Sequence, residues 1–279
     1  MRLLRRLLAT LAALSLAPPA MAQSGDEASA TTTTSSSSRT MLAALAGDRM
    51  LLTIDTSTRK VTRRVTVQGV SRLLSIDLRV ADGKLYGLGT NGTVVVIDPA
   101  TGRTTAKPKL QTPPPSGVRV NIDFNPVVDR LRIVGEDGTN LRANVDDGSV
   151  LVDTKLNFPV PPPGSPDPGT PAVLAAAYTN NFKGTTATLL YDITAADLLY
   201  VQVPPNGGTI NTVGPLGINV NNFGFDIQTR ADRRNRGWLV SGNSLYDIYL
   251  SGGKVFNRVS IGNLDGTVVR DIAVLRQGD

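Results

Sequence analysis

The chain has 279 residues, with 29 Lys and Arg against 23 Asp and Glu for a formal net charge of +6, and it contains neither cysteine nor histidine. Those absences exclude a disulfide framework, a thiolate nucleophile, Ser-His-Asp and Cys-His catalytic arrangements, and zinc held by Cys or His. Only two glutamates, Glu27 and Glu136, stand beside 27 Gly, 18 Pro and abundant Val, Leu, Ile and Thr, which disfavours a helical bundle and suits short strands joined by turns.

The N-terminus carries an address. Arg2, Arg5 and Arg6 precede the apolar run Leu7–Ala17, and Ala20-Met21-Ala22 places small residues where a signal peptidase reads. That pattern predicts a secretory signal peptide over residues 1–22, cleaved between Ala22 and Gln23, and hence a periplasmic or extracellular protein. Eleven apolar residues are too few for a membrane span, which needs about 20. Cleavage would remove three arginines and lower the net charge to +3. The remaining arginines are scattered apart from Arg230–Arg236, which Asp232 interrupts, so no nucleic-acid footprint is expected. Residues 23–40 are rich in Ser, Thr and Ala and read as a disordered leader; residues 41–279 read as a single domain.

From Met41 the sequence repeats. One unit runs Leu74-Ser-Ile-Asp77-Leu, Lys84-Leu-Tyr-Gly-Leu88, Val94-Val-Val-Ile-Asp98 and Thr104–Leu110; the next runs Asn121-Ile-Asp123-Phe, Arg130-Leu-Arg-Ile-Val134, Asn140–Val145 and Val150–Leu156. Asp-Gly, Asn-Gly and Thr-Gly dipeptides separate the short apolar runs, which is the signal of hairpins. A third unit has strands expected at Leu174–Tyr178, Ala187–Ile193, Leu198–Val203 and Thr209–Leu216, and a fourth at Phe223–Ile227, Gly237–Ser241, Ser244–Leu250 and Lys254–Ile261. The first strands begin near residues 74, 121, 174 and 223, a spacing that fits four-stranded propeller blades.

The two ends complete each other. Arg270-Asp271-Ile-Ala-Val-Leu275 looks like a first strand with nothing after it, while Met41–Ala46, Met50–Ile54 and Lys60–Val67 look like later strands with none before them. The expected fold is therefore all-β, a propeller of five four-stranded blades closed by pairing of the C-terminal strand with the N-terminal blade. A β-sandwich and a six-bladed ring are the alternatives.

The segments Leu74-Ser-Ile-Asp-Leu-Arg79, Asp82-Gly-Lys-Leu-Tyr-Gly-Leu-Gly89, Ile97-Asp-Pro-Ala-Thr-Gly102, Asp123-Phe-Asn-Pro-Val-Val-Asp-Arg-Leu-Arg132, Asn140-Leu-Arg-Ala-Asn144, Ala177-Tyr-Thr-Asn180, Pro204-Pro-Asn-Gly-Gly-Thr209 and Phe223-Gly-Phe-Asp-Ile227 occur in order along the chain. Together they resemble the bacterial domain-of-unknown-function family numbered 4394, over residues 41–275. The resemblance implies an exported, propeller-like protein, and carries no activity and no catalytic residue.

Asp77, Asp123, Asp226 and Asp271 each stand in an expected innermost strand, in the contexts Ile-Asp-Leu, Ile-Asp-Phe, Phe-Asp-Ile and Arg-Asp-Ile. Near the axis they would either accept backbone N–H groups from neighbouring blades or ring a channel that holds calcium or magnesium. Asymmetry lies elsewhere: the connections Thr112–Gly117, Asn157–Pro171 and Gly217–Asn222 each join the last strand of one blade to the first of the next, so all three belong to one face. Asn221 and Asn222 on that face, with Arg132 and Arg142 on adjacent strands, are the candidate ligand-face polar residues, although the arginines could equally pair with Asp123 or Asp153. The reading is a non-catalytic binding or protein-interaction module, its partner a protein, a glycan or a small molecule; the alternative is a calcium- or magnesium-dependent hydrolase or lactonase-like enzyme using the channel aspartates.

Overall fold

The computed structural model describes residues 39–275. The expected signal peptide (1–22) and nearly all of the expected leader lie outside the described residues, as do the last four positions of the chain. The strands are β1 (Met41–Ala46), β2 (Met50–Asp55) and β3 (Lys60–Thr66); β4 (Leu73–Arg79), β5 (Lys84–Gly89), β6 (Val94–Ile97) and β7 (Thr104–Ala106); β8 (Val120–Asn125), β9 (Arg130–Gly135), β10 (Asn140–Ala143) and β11 (Val150–Val152); β12 (Val173–Tyr178), β13 (Leu190–Thr194), β14 (Leu198–Gln202) and β15 (Ile210–Pro215); β16 (Phe223–Thr229), β17 (Asn235–Ser241), β18 (Ser244–Ile248) and β19 (Val255–Ser260); and β20 (Val269–Val274). They form five four-stranded antiparallel sheets, the blades of a β-propeller. Blade 1 has the order β20-β1-β2-β3, with Leu42 opposite Val274 and Ala44 opposite Ile272, so the last strand of the chain closes the ring. Blades 2 to 5 follow in chain order, each with its first strand innermost.

The core is divided among the seams. Residues of one strand, β1, alternate between two neighbours: Ala43 and Leu45 pack with Leu73, Ile76 and Val95 of blade 2, while Leu42 and Ala44 pack with Trp238, Val240 and Leu245 of blade 5. Three further clusters fill the remaining seams, around Phe124 between blades 2 and 3, around Tyr178 between blades 3 and 4, and around Phe225 between blades 4 and 5. A strand covered on both faces needs apolar residues at consecutive positions, which is why β1 and β12 read as unbroken apolar runs. The rim strand β3 has one covered face and reads as alternating.

Turn glycines tighten the rim. Gly102 in the β6–β7 turn has φ +73, and a Cβ on it would stand 2.4 Å from the carbonyl oxygen of Thr66 in blade 1. Gly148, one blade later, has φ +76 and would meet the Lys109 carbonyl at 2.3 Å. Both turns need a left-handed residue without a side chain, and each glycine carbonyl accepts an N–H from the preceding blade, from Gln68 and Gln111 at 2.8 Å.

Candidate functional site

Along the axis the inner strands carry polar side chains in two layers. In the deeper layer, Asp77 accepts the N–H of Leu78 and, from blade 3, that of Phe124, both at 2.6 Å. Asp123 accepts Tyr178 N–H of blade 4 at 3.0 Å, and Asp226 accepts Ile227 N–H and, from blade 1, Val274 N–H, both at 2.6 Å. The same position is Ala177 in blade 4 and Ala273 in blade 1, since each precedes the residue whose N–H the preceding blade's aspartate would receive.

Asp271 therefore does not share the position of the other three. It lies two residues earlier, level with Ser75 and Asn121. Its Oδ2 accepts Ile76 N–H of blade 2 at 2.8 Å and its Oδ1 accepts Ile272 N–H at 2.9 Å. Ser75 accepts Ile122 N–H at 3.0 Å, and Asn121 Oδ1 accepts Ala176 N–H at 2.9 Å. Ser75 and Asn121 also donate to the Asp271 carboxylate, joining three blades in one network. The local match Arg-Asp-Ile misaligns this strand because it resembles the pattern around the deeper aspartates while standing two residues earlier: β20 is bulged at Arg270 as β4 is at Leu74, which sets Asp271 level with Ser75.

The structure thus brings together Asp77, Asp123 and Asp226, each with a carboxylate oxygen within 4.8 Å of the others, all buried. Burial pushes the carboxyl of Asp226 up to about 7, and burial with repulsion from neighbouring aspartates holds Asp77 and Asp123 well above the ordinary carboxylate range. Such a group of three can share protons or hold a hard cation.

The seam between blades 4 and 5 has alanine at both latch positions, Ala175 and Ala177 of blade 4. Asn181 instead donates to Ile227 O at 2.9 Å, and Asn180 and Asn235 exchange hydrogen bonds at 2.9 Å. A groove of about 950 Å³ opens at this seam, past Asn180, Asn235, Tyr249 and Phe256.

Arg132 and Arg142 do not present free guanidiniums to a ligand. Both clamp Asp153: Arg132 Nη1 at 2.6 Å, Arg142 Nε at 2.7 Å and Nη2 at 2.9 Å. Arg132, only 2% exposed, also donates to Asn140, Asn206 and Tyr178, riveting blade 3 to blade 4.

Above the two layers the axis widens into a mouth of about 480 Å³, lined among others by Arg72, Ser116, Arg119, Glu136, Asn222 and Arg270, with Asn121 and Asp271 at its base. Here the connections Thr112–Gly117 and Gly217–Asn222 meet, as their shared place in the repeat predicts. Register shifts beside Leu74, Leu174 and Arg270 mark bulges at the starts of three inner strands, and all three residues line the mouth. Asn222 faces the cavity, while the backbone carbonyl of Asn221 accepts Arg119 Nη1 at 2.9 Å. Arg119 also stands over the Phe223 ring at 5.3 Å, and its Nη2 is buried without a hydrogen-bond partner among the described residues. Arg270 donates to the carbonyls of Gly47, Leu74 and Leu73. Burial pushes both guanidiniums below their ordinary value, offset in part by Asp271. Sequence reasoning missed Arg72, Arg119 and Arg270; the available signal was an arginine just before or at the start of three inner strands.

The chain belongs to the family described as a domain of unknown function (DUF4394), whose model matches residues 50–273. Among solved structures it is similar to a protein of unknown function from Bacteroides thetaiotaomicron VPI-5482, at 16% identity and TM-score 0.50, over 86% of this chain and 65% of that one. It is also similar to a protein of unknown function from Bacteroides caccae, at 15% identity and TM-score 0.41, over 80% of this chain and 73% of that one. The first likeness is one of fold alone. No curated protein matches. No helix among the described residues is long and apolar enough to cross a membrane.

Proposed function

We propose that this family member is an exported, non-catalytic binding module that takes a small ligand at the axial mouth. One contrast supports the reading. Below the mouth, the polar side chains of the inner strands form hydrogen bonds to neighbouring blades, whereas at the mouth Arg119 keeps a buried donor without a partner. A buried polar group left unpaired costs about 1–3 kcal/mol and more when charged, so a group that persists there fits a partner supplied from outside. Binding residues also concentrate where loops from several blades converge on a rigid scaffold. Export rests on the N-terminal pattern of residues 1–22.

The second reading, a calcium- or magnesium-dependent hydrolase working through the channel, draws on the proximity of Asp77, Asp123 and Asp226. Their hard oxygen donors fit such an ion, which would supply Lewis-acid activation of a bound water. Asp77 and Asp226, however, already use both oxygens on backbone N–H groups.

The test is native mass spectrometry of protein recovered from its host. The binding reading predicts a retained small molecule, lost when Ser116→Trp fills the mouth, with the variant melting where ligand-stripped wild type does. A ligand retained undiminished in Ser116→Trp would contradict it.

A further inference from the structure

Taking the mouth as the ligand site, an inference that rests on the reading above, we propose that the group recognised there is an oxyanion, a carboxylate or a phosphate, gripped by the guanidinium of Arg119 with Arg72 beside it.

Arg119 is tethered at one nitrogen, and a turn of the guanidinium toward the cavity would bring its covered, unpartnered nitrogen to a ligand. Nη1 is held by the Asn221 carbonyl, and the guanidinium stands over the Phe223 ring, which leaves Nη2 buried with nothing to donate to among the described residues. A planar fork matches the paired oxygens of a carboxylate or phosphate.

The positive charge is offset only in part, since Asp271 and Glu136 attract Arg119 without forming an ion pair with it. No carboxylate lies within 4.0 Å of the guanidinium of Arg119 or Arg270 among the described residues. The acids at the mouth are engaged elsewhere: Glu136 Oε1 accepts the backbone N–H of Arg119 at 2.9 Å, and Asp271 is held by Ser75, Ile76, Ile272 and Asn121. Arg270, tied to three backbone carbonyls, acts as a fixed positive charge in the wall. Arg72 has a loose contact to Asp48 at 3.5 Å and a half-exposed side chain, free to turn toward an incoming anion. Burial depresses both wall guanidiniums, and an anion would remove that penalty by restoring a counter-charge. A cavity of about 480 Å³ is sized for a small molecule.

The experiment is calorimetric titration of the whole protein at matched ionic strength with sodium phosphate, sodium succinate and glucose as separate probes, with the Ser116 and Gly117 amide resonances followed by NMR. Saturable binding of phosphate or of succinate that shifts both amides is expected, and the arm that binds identifies which oxyanion fits. Arg119→Gln should weaken it at least about tenfold, and Arg103→Gln on an exposed turn should leave it unchanged. Because Arg119 also holds the Asn221 carbonyl, Arg72→Glu is the second variant: its reversed charge should abolish anion binding. Equal anion affinity in wild type, Arg119→Gln and Arg72→Glu would overturn the proposal. Glucose shifting the mouth amides while neither anion does would overturn the oxyanion class and leave the mouth as the site. Saturable binding of any probe that leaves both amides unmoved would overturn the mouth reading as well.

Discussion

Asp271 Oδ2 accepts the backbone N–H of Ile76 at 2.8 Å across 195 residues of sequence, so the closing strand is latched to blade 2 by its own carboxylate as well as to blade 1 by its ladder. Asp271→Ala would leave the N–H groups of Ile76 and Ile272 without this acceptor and release Ser75 and Asn121. A loss of about 2–4 kcal/mol is expected, seen as a melting temperature lower by about 5–15 °C. Asp271→Asn keeps an acceptor, as Asn121 does for Ala176 one seam away, and should lose less than half as much. Equal melting of wild type and Asp271→Ala would remove the latch from the account.

Deleting β20 removes Ile272, Ala273 and Val274, all buried in two seams. Chain ending at Gly266 should be insoluble or melt without cooperativity in calorimetry, because burial of such side chains is worth about 1.5–3 kcal/mol each and an inner sheet edge is bared. Cooperative melting at the parental temperature would contradict closure of the ring by this strand.

Stability should fall as pH rises from about 4 to about 8. Burial pushes Asp192 up to about 8, Asp226 to about 7 and Asp271 to about 6, from a usual 3.8. An acid that keeps its proton in the fold while ionising freely in the unfolded chain favours folding below its unfolded pKa and loses that advantage up to its folded one. Asp146 has the opposite sign: hydrogen bonds from Arg79 and Lys107 hold its carboxyl below the ordinary range, and that contribution is lost as pH falls below about 4. Melting in chelator-treated buffer should peak near pH 4–5, and Asp192→Asn should flatten the decline between pH 6 and 8. A melting temperature highest at pH 8 in wild type would refute this.

Asp153 holds two guanidiniums, one of them Arg132, which is buried to 2% exposure. Asp153→Ala strands a buried charge and is expected to cost about 3–5 kcal/mol by chemical denaturation. A loss under about 1 kcal/mol would show that Asn140 and Asn206 alone compensate Arg132.

The blade count was legible because each seam needs consecutive apolar residues and each hairpin needs a turn residue with left-handed backbone, and both needs recur in the sequence with one period. Closure was legible from the missing strand at either end. The latch position was legible at Asp77, Asp123 and Asp226, and misassigned at Asp271, because an aspartate followed by an apolar residue reads the same at either of the two polar levels of an inner strand. The mouth was not legible. Arg72, Arg119 and Arg270 come from three blades and line one mouth only because the ring brings their strand starts together, and the partners of Arg132 and Arg142 depended on which of two aspartates faced them.

Gly224 stands where β16 runs closest to β20: a Cβ on it would lie 2.5 Å from the backbone of Asp271 and Ile272. Gly224→Ala should therefore force the blade 5 and blade 1 inner strands apart and lose about 1–3 kcal/mol, measured by thermal melting. A neutral or stabilising effect would place those strands further apart than described here.

The division between a latched channel and a binding mouth is tested most directly by crystal structures of the protein at pH 8, where the aspartates are most ready to ionise, soaked separately with sodium phosphate, sodium succinate and calcium chloride. The account predicts anion density against Arg119 in the mouth from the anion soaks and no calcium between Asp77, Asp123 and Asp226. Calcium bound among those three carboxylates, with the mouth empty in both anion soaks, would contradict it.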